Sequence, residues 1–205
     1  MPRAQILALK ADHPQPRKIE QAVKVLREGG VIAYPTDTVY GIGCGLGHKR
    51  AVDRIYHLTG KDESQLLTLV CADLSDIARY AVLENAHYRL LKRLLPGPYT
   101  FILPATREAP RMLLRKGKTI GIRVPQHPVT HALVAALETP IISTSASYRG
   151  EEPLNDPAEI VARFKGIELV LDAGYCGIIP STVVDLTGPE PVVVREGAGP
   201  TDAIV

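Results

Sequence analysis

Residues 19–41, IEQAVKVLREGGVIAYPTDTVYG, contain in succession a helix, a stop, a strand and a polar loop. Ala22, Val23 and Leu26 fall at helical spacing, and Gly29-Gly30 end the periodic run. Val31–Tyr34 is a short apolar segment cut off at Pro35, which predicts a buried strand opening into a loop. The same alternation extends in both halves of the chain. Helices are predicted at residues 50–58, 74–80, 85–95, 109–114, 129–138 and 157–165, the last with Asp156 as N-cap and Pro157 in the first turn. Strands are predicted at 66–71, 99–103, 119–124, 141–145 and 169–172. Residues 182–186 and 192–194 read as a hairpin joined through Gly188-Pro189. Gly41, Gly43, Gly45 and Gly47 read as a glycine-rich connection with a tight turn. No long linker and no internal repeat interrupts the pattern, so residues 1–205 read as one α/β domain around a single mixed sheet.

At 205 residues, 45% hydrophobic and 22% charged, the composition is that of a globular protein and excludes a mainly disordered chain. The longest apolar run, residues 132–137, is far short of the roughly 18 residues that cross a bilayer. Residues 6–9 are too few for the apolar core of a secretory signal, and a cytoplasmic location is expected. Cys44, Cys71 and Cys176 are too few and too scattered for a disulfide framework or a four-cysteine zinc cage. His127 and His131 have i, i+4 spacing, but Pro128 biases His127 away from helical backbone, so no metal site is assigned.

The net charge is only +2, yet it is unevenly spread. Residues 79–123 carry ten basic and two acidic side chains, while residues 150–205 carry three and ten. Such a polarised chain can focus an anionic ligand, a nucleotide or an RNA backbone, onto its basic surface. Solvated helix faces would produce the same count.

Ligands of open α/β sheets bind beyond strand ends, where apolar runs give way to polar loops. Such transitions occur at Tyr34-Pro35-Thr36-Asp37-Thr38, at Ser143-Thr144-Ser145-Ala146-Ser147, at Ser181-Thr182 and at Val194-Arg195-Glu196. To these is added the strand face that alternation gives to Thr119, Gly121 and Arg123. Hydroxyls allow close approach, and the guanidinium fork suits carboxylate or phosphate, so together they describe an anionic-ligand pocket. Singly, each hydroxyl also fits a turn or a helix cap. The dinucleotide and P-loop glycine patterns are absent. Cys44 has no evident base beside it and reads as a packing residue.

Six motifs in order resemble the threonylcarbamoyl-AMP synthase (YrdC-like) family over about residues 17–199. They are Tyr34-Pro35-Thr36-Asp37-Thr38-Val39-Tyr40-Gly41, Ile122-Arg123-Val124-Pro125, Ser143-Thr144-Ser145-Ala146, Gly150-Glu151-Glu152-Pro153, Ser181-Thr182-Val183-Val184-Asp185 and Val194-Arg195-Glu196-Gly197. Length and an altered second motif are most similar to the YciO-type branch. The resemblance implies a single-domain, twisted, open mixed sheet with helices on its faces and a basic concavity. It also implies synthesis of threonylcarbamoyl-AMP from L-threonine, bicarbonate and ATP, with Mg2+ on the phosphates, for the t6A modification of tRNA. Thr36, Arg123, Ser143 and Ser181 would hold threonine. Lys61, Thr119, Ser145 and Arg195 would face the nucleotide, and no protein nucleophile is implied.

This chain departs from the family pattern at several positions. Thr59-Gly60-Lys61-Asp62 replaces lysine, any residue, arginine, proline; Gln65-Leu66-Leu67 replaces asparagine-proline-leucine; Val70 stands for histidine and Ser147 for asparagine. These changes remove a cation and a bidentate fork, which implies weaker ATP binding. Two other uses remain open: a module that holds tRNA or double-stranded RNA by its backbone without catalysis, and a hydrolase acting on an acyl-adenylate or a carbamoyl compound.

Overall fold

The computed structural model describes residues 4–62, 67–114 and 118–204. Its strands are β1 (Gln5–Ala8), β2 (Val31–Tyr34), β3 (Gly41–Gly45), β4 (Thr68–Val70), β5 (Tyr99–Pro104), β6 (Thr119–Arg123), β7 (Ile141–Ser145), β8 (Leu169–Asp172), β9 (Thr182–Asp185) and β10 (Val192–Arg195). The α-helices are α1 (Pro16–Arg27), α2 (Lys49–Thr59), α3 (Leu74–Tyr80), α4 (Asn85–Leu94), α5 (Pro128–Leu137) and α6 (Pro157–Arg163). The strands form one open sheet in the order β1-β8-β2-β3-β7-β4-β6-β5-β9-β10. It is mixed: β1–β8, β8–β2, β4–β6 and β5–β9 are parallel, and the other neighbouring pairs are antiparallel.

Period-two alternation sorts the strand side chains onto two faces. Val31, Ala33, Ile42, Cys44, Leu69, Phe101, Ile122, Ile142 and Val184 pack with α2, α3, α4 and α6 in the larger core. Ile32, Tyr34, Ile141, Leu169 and Leu171 pack on the other face with α1 and α5. Caps agree with the chemistry of their residues: the Asp156 carboxylate accepts from Ala158 N–H, and His127 Nδ1 accepts from Val129 N–H. His127 itself is extended, so it and His131 do not form a helical pair.

The glycine-rich connection is corrected by the structure. Residues 41–45 form β3, an interior strand, and of its flanking glycines Gly47 takes the left-handed turn at φ 88. Alternate glycines leave one face of β3 bare, and the Tyr34 ring and α1 occupy that space. A Cβ on Gly41 would sit 2.9 Å from Tyr34 Cζ, and one on Gly45 would sit 2.6 Å from the Leu26 carbonyl oxygen. Close approach, rather than a turn, is why these positions are glycine. Two smaller differences are found. Residues 109–114 contain only a 3-10 turn, Arg111–Leu113, and β1 carries no periodic signal because it is a short edge strand held by long-range pairing to β8. Leu66, expected in a strand, lies outside the described residues.

Candidate functional site

Helices α1 and α5 cover only part of their face of the sheet. Over β7, β4, β6, β5 and β9 the uncovered remainder forms a cavity of about 490 Å³. Thr68, Val70, Thr100, Arg123, Ser143 and Val183 line it from the strands, Lys61 reaches it from the end of α2, and further loops complete the rim. The loop after β2 brings Thr36, the loop after β7 brings Ser147, Tyr148 and Arg149, and Pro180-Ser181 precede β9. Seven of the eight residues expected at a site line this one cavity: Thr36, Lys61, Arg123, Ser143, Ser145, Ser181 and Arg195. Thr119 does not. It begins β6, opposite Pro104 and four residues from Arg123, and strand rise separates the two by roughly 13 Å.

Arg123 is the most enclosed cation of the site, with its side chain 10% exposed. One of its terminal nitrogens donates to Asp37 Oδ1 and, at 2.7 Å, to Thr38 Oγ1. Its Nε and the second Asp37 oxygen are buried without a hydrogen-bond partner among the described residues. Burial works against the guanidinium charge, and the Asp37 carboxylate works for it. Beside it the Tyr34 hydroxyl donates to Ser143 Oγ at 2.6 Å; burial pushes the phenol up to about 12, so it remains a neutral donor. Thr100 and Ser181 share a hydrogen bond of 2.8 Å, and Arg195 donates to the Ser181 carbonyl at 2.7 Å. Lys61 Nζ donates to Thr144 Oγ1, the Ser145 carbonyl and Ser147 Oγ, at 2.9, 3.1 and 3.2 Å. Burial, aided by Arg195, lowers its pKa to about 8.

The Thr36 hydroxyl also does local work: it donates to the Val39 carbonyl at 2.6 Å and accepts from Thr38 N–H, closing the loop. Cys44 is a core residue whose thiol burial pushes up to about 12, which removes it as a nucleophile. Thr59 is fully buried, bonded to the Ile55 carbonyl, and does not line the cavity.

Among the described residues four cations line the cavity (Lys61, Arg123, Arg149 and Arg195) against the one carboxylate of Glu151, so an anionic guest is favoured. Of the described basic residues between 79 and 123, Arg123 alone reaches it. The local charge therefore comes from four separated segments rather than from the basic run; Arg115 and Lys116 of that run lie outside the described residues. Sequence reading missed Tyr34, Thr68 and Thr100 as site residues. Thr100 left a signal, as a polar residue in the otherwise apolar and aromatic run Tyr99-Thr100-Phe101-Ile102-Leu103.

The family model described as Telomere recombination, Sua5/YciO/YrdC, matches residues 24–197. The chain belongs to that family. It is 46% identical over 199 residues to the uncharacterized protein YciO of Escherichia coli, covering 96% of this chain and 97% of that one. It is 36% identical over 184 residues to a threonylcarbamoyl-AMP synthase of Halorhodospira halophila, covering 89% and 92%. The crystal structure of E. coli YciO superposes with a TM-score of 0.94 at 43% identity, over 98% of this chain and all of that one. Sua5 of Pyrococcus abyssi, solved in complex with L-threonine, superposes with a TM-score of 0.90 at 32% identity, over 97% of this chain and 59% of that longer one. These likenesses place the open mixed sheet and its concavity within the Sua5/YciO/YrdC fold. Among the described residues no helix is long and apolar enough to cross a membrane.

Proposed function

We propose that this protein is an L-threonylcarbamoyladenylate synthase, or a diverged relative, that joins L-threonine, bicarbonate and ATP into threonylcarbamoyl-AMP and pyrophosphate for t6A modification of tRNA. The observation that carries this reading is convergence: hydroxyls and cations from separate segments meet in one cavity, in a fold whose relative Sua5 was solved with L-threonine. In this reading Arg123 meets the threonine carboxylate, and Thr36, Ser143 and Ser181 complete its hydrogen bonds. Lys61, Ser145 and Arg195 face the nucleotide.

The reaction needs placement more than covalent help. A carbamate oxygen on the threonine nitrogen attacks the α-phosphate in line, the bond to pyrophosphate breaks, and fixed cations offset the charge that develops. Among the described residues no group of three or more His, Cys, Asp or Glu side chains could hold a metal ion. Glu151, the carboxylate of the rim, is engaged by Arg163 at 2.6 Å. The described site residues thus form no cage of protein ligands for a metal, and Mg2+ is read as part of the ATP substrate, held by its phosphates.

Pyrophosphate release from ATP that requires both threonine and bicarbonate is the expected result. Release without threonine would contradict the proposal and indicate hydrolysis. No release at high enzyme, together with RNA affinity falling steeply with salt, would replace it with the RNA-holding module.

A further inference from the structure

Lys61 is the lysine of the cavity, and like Arg195 but unlike Arg123 and Arg149 it bonds neutral oxygens only. Its three hydrogen-bond partners are neutral oxygens, and among the described residues it forms no ion pair with a carboxylate. Arg123 has Asp37 and Arg149 has Asp62. The charged groups among the described residues that share the cavity with it are Arg123, Arg149, Arg195 and Glu151, and Glu151 is held by Arg163. Among the described residues no carboxylate therefore fixes the ammonium form, while Arg195 lies near enough to oppose it. With its pKa lowered to about 8, about a tenth of Lys61 is free amine near neutrality, against on the order of one part in a thousand for an unperturbed lysine.

We infer that Lys61 is a CO2-capture site, where its amine forms a reversible carbamate within the cavity. The ammonium first releases a proton to solvent. The nitrogen lone pair then attacks the carbon of CO2, an N–C bond forms, one C=O π pair moves onto oxygen, and a second proton leaves to give –NH–COO⁻. No oxidant, reductant or further reagent is needed. The surroundings can serve the product as well as the reactant. The Thr144 and Ser147 hydroxyls can turn from accepting to donating, the carbamate N–H can keep the Ser145 carbonyl, and Arg195 supplies the missing counter-charge. Capture changes the charge at this position from +1 to −1, so it competes with phosphate for Arg195. The inference is independent of the synthase reading, since it needs only CO2 and the free amine.

The test is ¹³C NMR of the full chain in ¹³C-bicarbonate near pH 8, with wild type beside Lys61→Arg and Lys61→Gln. A carbamate resonance amounting to one equivalent should appear in the wild type and be lost in both variants; any carbamate at the N-terminal amine persists in all three. Trapping by O-alkylation followed by peptide mass analysis should place the added group on Lys61. Identical spectra in the three proteins, or an unmodified Lys61 peptide, overturn the inference. Pyrophosphate release measured on the same wild-type sample keeps the two readings apart. A carbamate without release counts only against synthesis, and release without a carbamate counts only against capture.

Discussion

On one face of the sheet, the part formed by β1, β8 and β2 is covered by α1 and α5, while the part running from β7 across β4, β6 and β5 to β9 is open. Both parts obey the same period-two alternation. Under the helices the inward positions are Ile32, Leu169 and Leu171; in the open part they are Thr68, Thr100, Arg123 and Ser143. The contrast shows that the cavity is made by withholding a helix. Polar side chains stay there because they keep water or a ligand as an alternative partner. Tyr34 and Val70 lie on the border, packed on the covered side and lining the cavity on the other.

The sharpest way to break this contrast is Arg123→Ala. It leaves Asp37 enclosed without its cation, which should cost about 3–5 kcal/mol in urea unfolding. Arg123→Met with Asp37→Leu should regain most of that stability while threonine binding, followed by calorimetry, stays lost. A double variant no more stable than the single one would mean that the pair does not organise the open part. Next is Arg195→Ala, which removes a charge-assisted partner worth about 1.5–3 kcal/mol. ATP affinity should fall roughly tenfold to a hundredfold with little change in unfolding midpoint; an unchanged affinity removes Arg195 from the nucleotide side.

On the border, Gly43→Ala would bring a Cβ to 2.7 Å from Ile141 Cγ2 and 2.9 Å from the Ile142 carbonyl oxygen. Overpacking of this kind should cost about 1–3 kcal/mol by thermal or urea melting. The smallest effect is the pH dependence set by Lys61. Its folded pKa is depressed to about 8, so between that value and the ordinary lysine range the unfolded chain binds more protons. Stability should therefore rise with pH through that window and lose this increment as pH falls through about 8. Phosphate affinity should move the other way, weakening above pH 8 as the amine neutralises. Lys61→Gln should flatten both profiles, and profiles unchanged by it would assign them to another group.

Much of this molecule was legible from spacing alone. Helix α1, strand β2 and the hydroxyl clusters at strand ends follow from local periodicity, from the residues that stop it and from the backbone needs of Gly and Pro. Strand β3 was not legible, because GIGCG is locally a loop sequence. What makes it a strand is the Tyr34 ring and α1 filling the space its missing side chains leave. Thr119 shows the converse limit: alternation gave it the face of Arg123 correctly in kind but could not say how far along β6 the cavity extends.

The sequence by itself determined which residues are polar at strand ends and which faces are apolar, because side-chain chemistry and backbone period act within a few residues. Only the tertiary structure decided that Lys61, Arg123, Ser181 and Arg195 share one hollow, and that the basic run of residues 79–123 contributes to it through Arg123 alone among its described members. Strand order and helix coverage are properties of long-range pairing, and no local window of sequence contains them.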